Sequence, residues 1–487
     1  MAFEFLLNQF DRNVIDADDY GSNFSTFKDN LRHGWVIDQD PFGVNQIEHP
    51  YSGALYHGFA RSAGLGYWES LAYGFLGSAL WETAGETLPP SMNDQITTSI
   101  GGSFFGEALF RTANWFLEDG EQPGFARELG AAVICPPVGL NRLAFGNRFG
   151  DIFPSNQPAV FARIGLGASA YTVPSDAAAS SLDHQQKAIA DFAMDYGLPG
   201  QPGYHYTRPF DYFHFEGAVA SDPDNVIDHL NARGLLLGEE YDAGNDYRGV
   251  WGLYGSYDYL SPGIFRLAAT SLSLGTTGQC WLARTLALQG TALGGVGFGA
   301  AGTVANDLND RDYHYGGTPQ AQCQLRLILD DAAMLDLTGR DFYVIGIGSD
   351  DRGGSESVAQ AQIALTVRLW GRHALALGYV ASWRDAQYSN EPDRQQSLGA
   401  ISLTYTFLGA SHFSPVEWRP ATGNSIPIAA TAGGRGRRVI RAATSTLQVE
   451  ILHTAGAPAR ARAAGRARGA RAASPRAPVP SRPSARC

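Results

Sequence analysis

Between Ser355 and Phe407, apolar and polar residues alternate through three successive runs. In the first, Ile363, Leu365, Val367 and Leu369 fall on one side of an extended chain, and Gln360, Gln362, Thr366 and Arg368 on the other. The second sets Leu375, Leu377, Tyr379 and Trp383 against Ser382 and Arg384; the third sets Ile401, Leu403, Tyr405 and Phe407 against Ser402, Thr404 and Thr406. A period of two marks β-strands. One such strand fits a soluble sheet with one buried face. A long series, each member able to reach roughly ten residues, also fits tilted strands that face lipid on one side and a polar lumen on the other.

Extended upstream, the pattern predicts strands near 160–172, 186–197, 209–220, 231–240, 247–259, 263–276, 281–299, 319–331, 335–347, 356–370, 373–386 and 397–408. An even count suits a single-chain bacterial barrel. The fold class expected is mainly β: a transmembrane antiparallel β-barrel of about 12 strands with an N-terminal helical subdomain. A water-soluble sandwich or barrel shares the alternation, but an unbroken strand series of this length without crossover helices argues against it. The expected division is an irregular lead over 1–50, a helical subdomain and linker over 51–150, the barrel over 151–410 and a disordered basic tail over 411–487.

Charge sharpens this division. The net charge of -12 conceals 12 Arg against a single acid, Glu450, in residues 421–487. What precedes is strongly acidic and offers no nucleic-acid footprint. The Arg-, Ala-, Gly- and Pro-rich tail buries too little to order itself and reads as an out-of-frame product or a spacer. The acidic first twenty residues lack the basic and apolar regions of a secretory signal, so for an exported barrel the true start is expected upstream of Met1. Cys135, Cys280, Cys323 and Cys487 are far apart, and neither a metal nor a disulfide framework is expected.

From Ser52 to Glu118 the period turns helical. The uncharged stretch Leu71 to Trp81 lies between Glu69 and Glu82 and is too short to span a bilayer, so it reads as a buried or surface-lying helix. Pro89 and Pro90 end it, Ser91 to Thr98 reads as a connection, and a second helix is expected from about Ser103 to Leu117. Gly101 and Gly102 before it form either an anion-binding helix start or a plain cap. Asn141 to Gly150 reads as linker.

The candidate polar cluster of this region is His49, His57, Arg61, Glu69, Glu82, Glu86, Asn93, Asp94, Glu107 and Arg111. Spacing places Glu82 with Glu86, and Glu107 with Arg111, on common helix faces. Glu107 and Arg111 read as an ion pair that also reaches Glu82 or Glu86, and Asn93 or Asp94 as a cap. Ser70, Ser78 and Ser91 offer hydroxyls for a lipid hydrolase with His57, although none sits in a nucleophile elbow. No Glu-x-x-His occurs, so no catalytic residue and no cofactor is assigned. The strings HPYSGALYHGFARSAGLGYWES from His49 and GSALWETAGETLPPSMNDQITTSIGGSFFGEALFR from Gly77 resemble an uncharacterised Gram-negative family in which a domain of unknown function is attached to an outer-membrane-type barrel. That resemblance implies an envelope protein and supplies no reaction.

Within the barrel, Asp191, Asp195, His214, Glu216, Arg326 and Arg368 alternate with Phe192, Met194, Phe213, Phe215, Leu325 and Val367, which predicts a charged lumen behind a lipid-facing set. The expected location is the cell outer membrane, with outer-membrane lipid and the barrel assembly machinery as partners and no nucleic acid. The expected function is passage or binding of a small solute or lipid. A membrane-lipid hydrolase and a structural or protein-docking barrel are the alternatives, and the helical part is expected at the barrel mouth or in the lumen.

Overall fold

A computed structural model describes residues 8–9, 12–13, 20–38, 40–118, 123–173, 183–222, 225–244, 246–303, 313–346, 354–388, 392–410 and 413. The basic tail thus lies, Phe413 apart, outside the described residues.

Twelve antiparallel strands close into a barrel: β1 (Val160–Val173), β2 (Asp183–Tyr196), β3 (Phe213–Ala220), β4 (Ile227–Ala243), β5 (Tyr247–Leu260), β6 (Phe265–Ala283), β7 (Leu286–Thr303), β8 (Tyr313–Leu329), β9 (Ala333–Gly346), β10 (Gly354–Trp370), β11 (His373–Tyr388) and β12 (Arg394–Leu408). Each strand pairs with its sequence neighbours, and β1 closes on β12 in the register Arg163 to Leu408. Each sequence run therefore holds one strand. Several strands extend past the alternating core of their run, as β6 does to Ala283, because glycine, threonine and cysteine continue the ladder without marking a face.

The register assigns the two faces. Arg326, Arg340 and Glu216 point inward and meet across the barrel, whereas Ile164, Leu274, Val296, Leu377 and Leu403 point outward and are exposed. Trp251, Trp370, Trp383 and Tyr405 are outward and exposed as well. A closed barrel satisfies every ladder internally, and an apolar exterior around a polar lumen is built for lipid. These properties make it a transmembrane barrel of the outer-membrane type, and the cell outer membrane is its location. Tight connections at β4–β5, β6–β7, β8–β9 and β10–β11 share one end, from which β1 also starts and at which β12 finishes.

The helical body comprises α1 (Phe24–Asn30), α2 (His49–Ser62), α3 (Tyr67–Leu80), α4 (Met92–Ile96), α5 (Gly102–Glu118), α6 (Phe125–Ile134) and α7 (Pro136–Phe145). π-helical turns at Val44–Glu48, Trp81–Gly85 and Thr97–Gly101 adjoin α2, α3 and α5. The stretch read as the Ser91 to Thr98 connection is thus helix, capped by the Ser91 hydroxyl. The first part of the Asn141 to Gly150 linker is helix too: it ends α7, whose first turn holds Pro136 and Pro137, where a missing N–H costs nothing. Gly101 runs straight into α5, so its N–H groups are not presented as an anion site.

This body neither plugs the lumen nor caps its mouth; it sits on the outward face of β2 to β8. Phe105 meets Phe215 and Tyr257 at ring-centroid distances of 5.8 and 6.5 Å, and Phe42 meets Tyr313 at 5.1 Å. Met194, Phe213 and Phe215 are therefore covered by protein rather than lipid, and Tyr257 and Tyr259 lie under the same helices. Tyr212 points into the lumenal cluster. On a lipid-facing wall this seat is held by close packing and by its polar links rather than by escape from water.

Strand β3 is short, and past Gly234 the β3 side of β4 is met by residues 197–212. The N–H of Phe210 donates to the Leu235 carbonyl, that of Leu235 to Tyr212, and that of Tyr206 to Glu240. This connection straddles the wall: Leu198 and Tyr212 join the lumenal cluster, while Tyr204 and Phe210 join the cluster under the helices.

Candidate functional site

Three polar assemblies emerge from the residues singled out in sequence. The first forms where α2 and α5 cross. A Cβ at Gly102 would stand 2.6 Å from the Gly53 Cα, and one at Gly106 2.9 Å from Ala54, so only glycine permits this approach. It brings His57 and Arg61, four apart on α2, onto Glu107. Arg61 donates from Nε to Glu107 Oε2 at 2.7 Å, His57 Nε2 is 3.0 Å from the same oxygen, and Arg111 Nε donates to Oε1 at 2.9 Å. Arg111 then reaches Asp211 at 2.8 Å and the Pro209 carbonyl at 2.5 Å. Asp211 also accepts from the backbone of Thr207 and Arg208. Phe153 lies under the guanidinium groups of Arg61, Arg111 and Arg208, whose central carbons stand 4.7, 5.0 and 4.6 Å from its ring centroid.

Burial alone would raise the Glu107 pKa, but the Arg61 charge, the His57 contact and Arg111 hold it well below the carboxylate range. Burial depresses His57, against the pull of Glu107, which leaves it neutral. With both its oxygens occupied, Glu107 anchors a latch between α5 and the β2–β3 connection. The Ser70 and Ser78 hydroxyls and His57 Nδ1 have no hydrogen-bond partner, and Ser91 donates to Asn93, so none of these three serines engages His57 as a nucleophile would engage its base. Arg111 does not turn to Glu82 or Glu86 as expected; Asp211, in the run read as strand from 209 but lying just before β3, takes that place.

The second assembly gathers His49, Glu82, Glu86, Asn93 and Asp94 around Asp38. Asp38 accepts from Asn45 at 2.7 Å and Asn93 at 3.0 Å, while Asn45 and Asn93 also donate to Tyr313 and Tyr315 on β8, each at 2.9 Å. Glu82 accepts from the Ser91 N–H at 2.8 Å, and Glu86 accepts from the Trp81 indole at 2.6 Å. The two glutamates do not share a helix face, because the π turn ends at Gly85 and Glu86 is extended. Burial, and then the Glu86 charge, push Glu82 up to about 9. Burial and a hydrogen bond shared with Asp38 raise Asp94 well above its ordinary value, whereas Asp38 is lowered by its donors. His49 falls to about 4 through burial. Through Asn45 and Asn93 this acidic cluster is tied to β8 as a buried polar seam. Glu69 belongs to neither assembly: its carboxylate accepts from the Gly66 N–H at the start of α3.

The third assembly is lumenal. Asp195 takes Arg326 at 2.6 Å and His214 at 2.8 Å; His214 also faces Glu216, which binds Arg340 from the opposite wall. Arg326 continues to Asp336 at 2.6 Å. Asp191 pairs with Arg163. Arg368 is half-buried on the inward face towards the tight-turn end. Arg340 and Arg163 were legible by the same alternation but were not singled out. Below these layers Phe161, Leu198, Tyr212, Tyr254 and Trp281 fill the tight-turn end. Beside and above them lies a cavity of about 110 Å³, which Arg163, Asp191 and Glu216 help to line. Gln360, Gln362, Thr366, Ser382, Ser402 and Thr404 form one wall, and Lys187 with Asp228, paired at 2.6 Å, stands on the other.

Comparison with solved structures returns low-identity barrels. The outer membrane channel DcaP of Acinetobacter baumannii is 8% identical, with 52% of this chain and 99% of that chain covered and a TM-score of 0.24. The toluene transporter TodX of Pseudomonas putida is 9% identical over 55% of this chain and 93% of that one, TM-score 0.20. The translocator domain of the autotransporter NalP from Neisseria meningitidis is 13% identical over 52% and 89%, TM-score 0.22. At such values none of them carries an argument about this chain. No curated protein matches it. Residues 34–137 match a domain of unknown function (DUF3943), so most of the helical body carries that domain and the barrel follows it.

Proposed function

We propose that the chain is a Gram-negative outer-membrane barrel that binds a small, hydroxyl-rich, uncharged solute in the upper lumen. One observation carries this reading: the uncharged polar groups of the cavity are amides and hydroxyls set among Ala364, Val380 and Leu398, while the charges around it are already paired, Lys187 with Asp228, Arg163 with Asp191 and Glu216 with Arg340. A charged solute would have to break one of those pairs or remain without a counter-ion, and either is costly in a confined site. A neutral polyol needs only donors and acceptors. The packed tight-turn end supports binding over free passage. Delivery to the membrane falls to the barrel assembly machinery, as for other chains of this architecture.

Saturation-transfer NMR on the refolded protein, with glucose and maltose beside glutamate and lysine, tests the proposal. The sugars are expected to bind, and Gln362→Leu or Thr404→Val to weaken them about fivefold, the effect of losing one hydrogen bond. Binding of the amino acids alone, or open-pore conductance in a planar bilayer, would overturn it.

A further inference from the structure

The helical body, seated on the outside of the barrel, leaves an apolar face uncovered. On α3, Trp68, Tyr73, Phe75 and Leu76 are exposed, Leu76 by 68%. The helix has one exposed charge, Glu69, and that is spent on the Gly66 N–H. On α6, Phe125, Leu129 and Val133 repeat at a spacing of four and are exposed; on α7, Leu140, Leu143 and Phe145 are exposed, Leu143 by 85%. An ion pair, Arg142 to Glu128 at 2.9 Å, joins α6 to α7. An aqueous domain does not present three helices this way.

We infer that this face lies in the bilayer, with α3 and the α6–α7 hairpin immersed among acyl chains as interfacial helices. The occupant follows from position. The seat of the body on β2 to β8 is bordered along the same strands by bare lipid-facing residues: on β6, Thr270 lies under Gly101, whereas Leu272 and Leu274 are exposed. The helical face therefore continues a surface that already contacts lipid. No helix among the described residues is long and apolar enough to cross a membrane, so immersion is lateral. Exposed Arg148, just beyond α7 and stacked on Phe149 at 5.3 Å, is placed to meet lipid phosphates. The inference rests on the membrane placement of the barrel and is independent of the solute.

Spin-label power saturation in liposomes tests it on the full chain, with Cys280, Cys323 and Cys487 changed to serine and Cys135 left in the core. Labels go on Phe75→Cys and Val133→Cys, with Leu403→Cys as the lipid reference and Asp242→Cys as the aqueous one, and heat-modifiable gel migration confirms each fold. Oxygen access with exclusion of a nickel chelate, matching the Leu403→Cys label, is the expected result. Accessibility matching Asp242→Cys would overturn it, and so would spin–spin broadening, which would mean that a second copy covers the face. If the Leu403→Cys label itself behaves as water-exposed, the barrel placement fails and this inference with it.

Discussion

Arg111 and Asp211, a hundred positions apart, meet at 2.8 Å and fasten α5 to the connection that completes the barrel wall beside β3. Both are buried, so the pair matters chiefly through what remains if one member is lost. Arg111→Met would leave two buried carboxylates short of a cation and is expected to cost about 3–5 kcal/mol. The loss would be read as a lower unfolding midpoint of tryptophan fluorescence in detergent. R111M/D211L should recover part of it, and heat-modifiable migration should persist, because the strand ladders are untouched.

Glu107 predicts an acid limit for the same latch. Its carboxyl is held below the ordinary range, so the stability it contributes is present above the unfolded value, near 4.3, and disappears as pH falls through the folded value. The wild type should lose helical-body stability steeply in that acid window. Glu107→Gln should start lower at neutral pH and show a flatter acid limb by circular dichroism.

Glu82 carries the opposite sign. Its folded value is raised from 4.5 to about 9, so its contribution is complete below pH 4.5 and is eroded as pH climbs towards 9. Glu82→Gln keeps an acceptor for the Ser91 N–H without a charge. It should match the wild type at pH 4 and exceed it by on the order of 1–3 kcal/mol at pH 8.5, measured by urea unfolding.

Two glycines should separate seat from wall. A Cβ on Gly255 would overlap the Phe104 ring, whereas one on Gly294 meets nothing within 4 Å. Gly255→Ala is expected to destabilise the docked body by about 1–3 kcal/mol, and Gly294→Ala to change little. Limited proteolysis of the helical body would show the difference.

Removing the cross-lumen cations should loosen the interior. Arg326→Ser with Arg340→Ser breaks the links to Asp195 and Glu216. Single-channel recordings should show little conductance for the wild type and intermittent openings for the double variant.

The barrel was legible because lipid outside and polar groups inside impose a period of two, so that Leu365 beside Thr366 already assigns two faces. The same period cannot tell lipid from protein. Phe213 and Phe215 read as lipid-facing, yet the outward face they share is covered by Phe105 and its neighbours. On the helices, spacing found Glu107 with Arg111, but the third partner, Asp211, falls a hundred positions on in the run read as a strand over 209–220, and only the tertiary fold brings it into reach. Glu82 and Glu86 were set on one face by counting four residues, and a π turn ending at Gly85 undoes that count.

The shortness of β3 bears on the order in which the molecule is made. Its eight residues stand between strands of fourteen and seventeen, so the seam below Gly234 is finished by residues 197–212 and sealed from outside by Tyr67 and Phe104, which stack on Phe210. Those two residues are translated before any strand. Closure of β12 on β1 completes the hydrogen-bonded ring but not the wall, and a barrel whose helices fail to dock would reach the membrane with an unsealed flank. The flank of this barrel is thus watertight only as a joint product: a segment that precedes the strands in sequence supplies the outer half of a wall that the strands leave one layer thin.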